Sequence, residues 1–181
     1  MTRFADMAVD PGDDRRVDPP AQVDERATLV AFLRWHRETL ELKCAGLDVA
    51  QLALRPVEPS TLSLLGLVRH MADVERAWFR RVMAGQDAPP RFYTSADPDG
   101  DFDGAVPDAE VVAEAWQAWR SEVEFADTFI AEAPDLDVSG HDPRRGPMSL
   151  RWVLVHMVEE YARHNGHADL LRQRIDGAVG Q

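Results

Sequence analysis

The chain has 181 residues, of which 45% are hydrophobic, and it carries a formal net charge of −12. This size and composition predict one globular domain with a hydrophobic core of its own. The acidic charge disfavours nucleic acids and anionic membranes as partners, because binding either of them requires a basic surface.

The predicted elements begin after an N-terminal tail. Residues 1–22 contain three prolines and few side chains able to pack, so we predict a flexible tail followed by a single domain over residues 23–181. The first helix is predicted over residues 24–46, where Gly46 can end it. Its inward face carries side chains at helical spacing, namely Leu29, Phe32, Leu33, His36 and Leu40.

Three further helices are predicted, over residues 60–85, 107–133 and 149–175. Ser60 or Ser63 can cap the second helix, and Ser149 can cap the fourth. Pro107 occupies the favoured first position of the third helix. No segment alternates with a period of two, so no strand is predicted. Four long amphipathic segments predict an all-α four-helix bundle with long connecting loops.

One stretch of the fourth helix, HMVEEYARHNGH at residues 156–167, holds three of the six histidines. A helical residue advances by about 100°, so with Glu160 at zero His164 lies at about +40°. His156 and His167 then lie at about −40° and about −20°, on the face that carries apolar residues. The opposite, outward face is predicted to carry Arg151, Asn165, Asp169, Arg172 and Asp176.

Glu160 on the inward face requires a partner, because an unpaired buried carboxylate is costly. A divalent cation, a buried arginine or protonation would satisfy it. Glu160 and His164, one turn apart, can share one metal, while the pair of His164 and His167 is an alternative that helical geometry leaves open. In the interpretation without a metal, these polar residues lie at the edge of the core and satisfy one another.

A third metal ligand has to come from another helix. His70 is the leading candidate, because it shares a helix face with Leu67, Val74 and Ala77. His36 also faces inward and is interpreted as a core residue or as one that contacts a metal ligand. His141 lies in a loop rich in proline and glycine, and we expect it to be exposed.

The sequence contains one cysteine, Cys44, so an intramolecular disulfide is excluded. No cluster of histidine or arginine surrounds it in the sequence, and we interpret it as a core residue. Neither a signal peptide nor a membrane span is predicted, which makes a cytoplasmic location the expectation.

Two segments, SLLGLVRHMADVERAWF and VHMVEEYARHNGHADLLRQ, resemble the DinB/YfiT-like metalloenzyme superfamily, in particular its actinobacterial "mini-circle protein" branch. The resemblance covers residues 25–177. It implies a four-helix bundle with a metal bound by one histidine of the second helix and a His-x3-His pair of the fourth. His70 and His164 match two of these positions. Glu160 replaces the remaining histidine, as in the related mycothiol-dependent maleylpyruvate isomerases, which use Glu-x3-His.

Along the helix axis, His156 and His167 lie about 6 Å and about 10 Å from Glu160, so we expect them to contact the ligands or line the cleft rather than bind the metal. The inward-facing His36 is a further candidate for such a contact. The resemblance also implies that His156 does not bind the metal, because many members carry a histidine there that is not a ligand. It implies a metal-dependent transferase or isomerase that acts on a small-molecule substrate with a metal-activated low-molecular-weight thiol such as mycothiol. Zinc is the first expectation for the metal, with nickel and iron as alternatives. Because relatives are often dimers, a homodimer is expected.

The alternative function is a non-catalytic, stress-related bundle that binds a metal or another ligand. An arginine-rich cleft beside the metal would favour the enzyme, and the candidates for its lining are Arg69, Arg81 and Arg163. A metal completely enclosed by protein would favour the alternative.

A second motif, DGDFDGAVPDAE at residues 99–110, fits the calcium-loop pattern D-x-D-x-D-G-x5-E. In such a loop Asp99, Asp101 and Asp103 would be ligands and Glu110 would close the site. An EF-hand also requires a helix that leads into the first ligand, whereas Pro98 and a non-helical segment precede Asp99. We therefore expect no calcium binding here.

Overall fold

The computed structural model describes residues 14–180. Its long helices are α1 (Glu25–Cys44), α3 (Leu64–Glu75, extended by a π-helical segment, Arg76–Met83), α5 (Ala109–Glu132) and α6 (Leu150–Asp176). Between them lie the short helices α2 (Val49–Ala53) and α4 (Gly100–Asp103) and the strands β1 (Ser139–Asp142) and β2 (Gly146–Ser149). The prediction of an all-α four-helix bundle with long connections is confirmed. None of the described helices has both the length and the apolar character needed to cross a bilayer.

Most of the predicted tail, residues 1–13, lies outside the described residues. In the remainder, Arg16 donates a hydrogen bond of 2.7 Å to the hydroxyl of Thr39. Its guanidinium group also lies 4.6 Å from the ring centroid of Trp35. This part of the chain therefore contacts α1.

Each long helix begins at a side chain that accepts a backbone N–H of the first turn. Ser63 and Ser149 cap α3 and α6, as predicted, and Asp24 caps α1. The prediction that Pro107 is the first helical residue was wrong by two residues. Asp108 is the N-cap of α5, because its carboxylate accepts the first free N–H groups of the helix.

The four long helices form two parallel pairs that run in opposite directions. Arg151 at the start of α6 pairs with Glu25 at the start of α1, at 2.8 Å. Near the other end, Arg172 of α6 donates to the carbonyl of Lys43, at 3.0 Å. The other two helices, α3 and α5, run antiparallel to this pair. Parallel neighbours cannot be joined by a tight turn, so residues 84–108 cross the bundle and bring α4 against α3.

One residue from each long helix contributes to a buried polar network. Arg37 of α1 forms a bidentate pair with Glu75 of α3, at 2.7 and 2.8 Å. Tyr161 of α6 donates to the same carboxylate at 2.8 Å, and Trp119 of α5 donates to the Tyr161 hydroxyl at 2.8 Å. Because Glu75 is completely buried, these partners are what make its charge tolerable inside the bundle.

Three side chains lie on a face other than the predicted one. Phe32 was predicted to face inward and is 43% exposed. Asn165 and Arg172 were predicted to face outward, and both are buried. Asn165 and Arg172 are buried because α1 packs against the side of α6 that carries them. Asn165 donates to the carbonyl of His36, and Arg172 donates to the carbonyl of Lys43 at the end of α1, where helical partners are missing.

The prediction that the chain contains no strand was also wrong. Within the predicted loop at residues 134–147, β1 begins an antiparallel hairpin with β2. Its turn forms because Asp142 accepts the backbone N–H groups of Arg144 and Arg145, while Gly146 adopts a φ of 82°. Each strand has four residues, which is too short for an alternating pattern to be recognised.

Candidate metal centre

Three side chains converge between α3 and α6. His70, Glu160 and His164 each offer one ligand atom, and these atoms lie within 4.8 Å of one another. In residues 14–180 no other group of three or more ligand-type side chains converges in this way. A Glu160 carboxylate oxygen lies 3.4 Å from Nε2 of His164, and the ring centroids of His70 and His164 are 4.7 Å apart. The structure thus brings together the three residues that the sequence predicted as ligands.

Helix geometry accounts for this arrangement. Glu160 and His164 are one turn apart on α6 and therefore share a face. Helix α3, which runs antiparallel to α6, supplies His70 from the opposite side of the cluster. The side chains of His70, Glu160 and His164 are 26%, 18% and 11% exposed, so the cluster lies at the rim of the core rather than at its centre. A ligand from solvent has access to it.

Two further histidines contact the cluster from outside. Nδ1 of His167 lies 3.4 Å from Nδ1 of His164. Nε2 of His156 lies 3.5 Å from a Glu160 oxygen, and its Nδ1 is 3.2 Å from Glu159. His167 thus contacts the triad through His164, and His156 contacts it through Glu160.

The protonation state of His164 suits a metal ligand. Burial is the main cause that lowers the pKa of His164 to about 3, and the neighbouring His70 and His167 contribute to this shift. The ring is therefore neutral at physiological pH and retains a lone pair on one nitrogen, which is the form of histidine that binds metals.

Glu160 has no cationic side chain beside it. Among the described residues, its carboxylate forms ion-pair contacts only with the imidazoles of His156 and His164. A buried arginine, one of the three partners expected for this carboxylate, is therefore not what satisfies it. Two imidazole nitrogens and one carboxylate oxygen are a donor set that fits zinc and related divalent cations.

Asp101 is a site residue that sequence reasoning assigned to a different role. It belongs to the calcium-like motif, but its carboxylate is buried and lies 2.8 Å from Nδ1 of His70. Its neighbours Asp99 and Asp103 are exposed and do not join it in a cluster. The acidic pattern of the loop was visible in the sequence, but nothing in it indicated a contact with α3.

Three other sequence candidates lie outside the triad. The backbone carbonyl of His36 accepts a hydrogen bond from Asn165, and burial lowers the pKa of the His36 ring. His141 is exposed on β1, as expected. Cys44 lies in the core, where burial raises the pKa of its thiol to about 12. The protein's own thiol is therefore not a nucleophile at neutral pH.

An open cleft begins at the triad. A cavity of about 290 Å³ is lined by His70 and Asp101 at one end and by Trp78, Arg81 and Tyr93 farther out. A second cavity of about 590 Å³ shares Arg81 and Tyr93 with the first and continues toward the β1–β2 turn. Together they form a cleft, called here the substrate cleft, that extends from His70 to the β1–β2 turn; His70 is the member of the triad that lines it.

Only one of the three arginines considered from the sequence lines this cleft. Arg69 is buried and donates to the carbonyls of Gly100 and Asp101, at 3.0 and 2.8 Å. Arg163 is paired with Glu159 on the outer face of α6. Arg81 lines both cavities and, within the described chain, forms no salt bridge or hydrogen bond of its own.

The bundle and the two-histidine, one-glutamate cluster define a protein of the DinB/YfiT-like class, as the sequence resemblance implied. The chain belongs to the mycothiol-S-transferase family, whose family model matches residues 28–177. No curated protein sequence matches the chain significantly. Among solved structures, a conserved protein from Enterococcus faecalis is similar, with a TM-score of 0.59 and 15% identity over 86% of this chain and 99% of that one. That likeness concerns the fold alone.

Proposed function

We propose that the protein is a metal-dependent S-transferase in which His70, Glu160 and His164 hold one divalent cation, zinc being the first expectation. The thiol that it uses is mycothiol or a similar small thiol. The observation that carries this proposal is the convergence of three ligand atoms, together with an open cleft that is lined by one of the three residues, His70. Membership of the mycothiol-S-transferase family supports the choice of thiol.

The ligand set leaves room for a substrate atom. Three protein ligands are typical of catalytic zinc sites, which keep one coordination position open. A divalent metal bound there would lower the pKa of a thiol, so that the thiolate is available near neutral pH. In the transfer, the sulfur forms a bond to an electrophilic carbon, the leaving group departs with its bonding electrons, and the thiol proton passes to solvent.

The chain's own residues bind and orient the reactants. His164 is neutral and offers a lone pair, His70 offers a second imidazole nitrogen, and the Glu160 carboxylate would offset part of the cation's charge. In the substrate cleft, Trp78 and Tyr93 supply aromatic surface against which a small molecule packs. Cys44 takes no part in the reaction, because its thiol is buried and protonated.

The test combines metal analysis with a thiol-transfer assay. Protein purified without a histidine tag or chelators should contain stoichiometric divalent metal by elemental mass spectrometry. His70→Ala and His164→Ala should abolish it, and Glu160→Ala should weaken it severely. His141→Ala is the matched control, because His141 is exposed on β1, and it should retain the metal.

The activity arm uses mycothiol with chlorodinitrobenzene as a general electrophile, before and after chelation and metal restoration. Activity that disappears with the metal and returns with it supports the proposal. Full metal content with no thiol transfer to any electrophile would favour the non-catalytic alternative. If His164→Ala retains the metal and His167→Ala loses it, the ligand assignment is wrong.

Arg81 is expected to select anionic electrophiles, because it is the arginine that lines both cavities of the substrate cleft and, in the described chain, it forms no salt bridge. A hydrogen bond to a charged group contributes about 1.5–3 kcal/mol, so Arg81→Gln should raise KM for a carboxylate-bearing electrophile by roughly tenfold or more. KM for its neutral ester and kcat for both should change little. Arg163→Gln is the control, since Arg163 lies outside the cleft. An equal rise in KM for acid and ester would contradict this role.

A further inference from the structure

The acidic loop between α3 and α5 places one carboxylate against the triad. Asp101 is 4% exposed, and one of its oxygens lies 2.8 Å from Nδ1 of His70. Its other oxygen accepts the backbone N–H of Phe102 at 3.0 Å. Both oxygens therefore have a partner, and the orientation of the carboxylate is fixed.

Helix α4, which carries Asp101, is itself held firmly on α3. The guanidinium group of Arg69 donates to two carbonyls of α4, those of Gly100 and Asp101. Arg69 is buried, and its guanidinium group also lies 4.2 Å from the ring centroid of Phe92. This arginine therefore fixes α4 rather than facing the substrate cleft.

A second contact positions the ring of His70. Phe102 stacks on it with 5.2 Å between the ring centroids and 28° between the planes. This approach depends on Gly66, one turn before His70, because a Cβ there would come within 2.8 Å of the Phe102 ring. Phe102 and Asp101 thus restrict the ring of His70, and Gly66 leaves the space that Phe102 needs.

We infer that Asp101 is a positioning residue that holds His70 in the tautomer with hydrogen on Nδ1, so that Nε2 presents its lone pair to the metal centre. The inference rests on the proposed function for its metal. A carboxylate that accepts the second N–H of a ligand histidine fixes both tautomer and ring orientation and raises the basicity of the ligand nitrogen. The calcium-like motif therefore contributes Asp101 to the surroundings of the metal centre.

The contact is testable in the metal-free protein. Long-range proton–nitrogen correlation NMR distinguishes the two histidine tautomers, and loss of signals in His70→Gln assigns those of His70. Wild-type protein should carry the His70 proton on Nδ1. A wild-type spectrum with the proton mainly on Nε2 would overturn the inference, and this measurement depends neither on a variant at Asp101 nor on the metal.

The second measurement compares two variants with the same change of charge. Asp101→Asn keeps the shape of the side chain and should weaken zinc or cobalt binding about 10–100-fold, measured by competition with a chromophoric chelator. It should also shift the His70 proton toward Nε2. Asp99→Asn is the control, because Asp99 is exposed and its side chain caps no helix. It should bind the metal as tightly as the wild type.

The outcomes separate this inference from the proposed function. Equal metal affinity of Asp101→Asn and Asp99→Asn, with the His70 tautomer unchanged, would overturn the role of Asp101. Wild-type protein that binds no divalent metal would overturn the metal centre, while the NMR result would still decide whether Asp101 fixes the tautomer.

Discussion

Individual residues of the triad differ in how the fold sets their charge. His164 is the clearest case, because burial and two neighbouring histidines lower its pKa to about 3. Glu160, with only imidazoles beside it, contributes the one formal negative charge of the triad. The site therefore combines the neutral imidazole of His164, a second imidazole and a single carboxylate, a donor set that fits a divalent cation.

The shift at His164 predicts a pH dependence of stability in the metal-free protein. The pKa is about 3 in the folded chain and 6.5 in an unperturbed histidine, so the unfolded chain binds more protons between these values. The contribution to the free energy of unfolding is fully present above the unfolded pKa. It is lost progressively as the pH falls from 6.5 toward 3.

Replacing His164 by Gln removes this pH-dependent contribution to the free energy of unfolding. Between about pH 7 and about pH 5, chelator-treated wild-type protein should lose about 2 kcal/mol more of its free energy of unfolding than His164→Gln. Urea unfolding followed by circular dichroism measures the difference. Parallel losses in the two proteins would mean that His164 titrates normally in the folded state.

At the scale of elements, the contact of α4 with α3 is what brings the acidic loop to the metal centre. Replacing either of two helical glycines by alanine is expected to change stability in opposite directions, because only one of the two lies at this contact. Gly66 lies on α3 where a Cβ would meet the Phe102 ring at 2.8 Å, whereas Gly166 lies on α6 with nothing within 4 Å of a Cβ. Both are helical, so the difference between them is packing alone.

Gly66→Ala should destabilise the protein by about 1–3 kcal/mol, because the added methyl group overpacks the contact with α4. Gly166→Ala should stabilise it by about 0.4–1 kcal/mol, because alanine is the better helix former. Thermal and urea unfolding of both variants measure the two signs. A stabilising Gly66→Ala would show that Phe102 moves freely and that α4 does not depend on close approach.

At the scale of the whole molecule, the proposed metal joins α3 to α6. One of these helices belongs to each of the two parallel pairs. The buried network of Arg37, Glu75, Trp119 and Tyr161 joins all four long helices near the same level of the bundle. A metal at the triad would therefore link α3 to α6 in addition to this buried hydrogen-bond network. The cytoplasmic location and the homodimer remain predictions.

Thiol binding should stabilise the protein only when the metal is present. Wild-type protein with bound metal should gain roughly 2.7 kcal/mol at a mycothiol concentration a hundredfold above its Kd, seen as a higher Tm. Chelated protein and His164→Ala should show no such gain. Equal stabilisation of metal-free and metal-bound protein would mean that the thiol binds away from the metal.

The sequence by itself determined the four helices and the three residues of the triad. Helical spacing placed Glu160 and His164 on one face and His70 on the inward face of the second helix, and the resemblance implied that the three bind one metal. Both placements follow from short-range rules, since the relation of residues one turn apart is fixed by the helix itself. The N-caps at Ser63 and Ser149 were predictable for the same reason.

Only the tertiary structure decided which residues surround the triad. Asp101 reaches His70 across 31 positions of the sequence, through a crossing connection whose path depends on packing against α3. Asn165 and Arg172 are buried for a similar reason, because α1 covers a face of α6 that its own periodicity marks as polar. Such contacts depend on how separate elements meet, and no periodicity within one element encodes them.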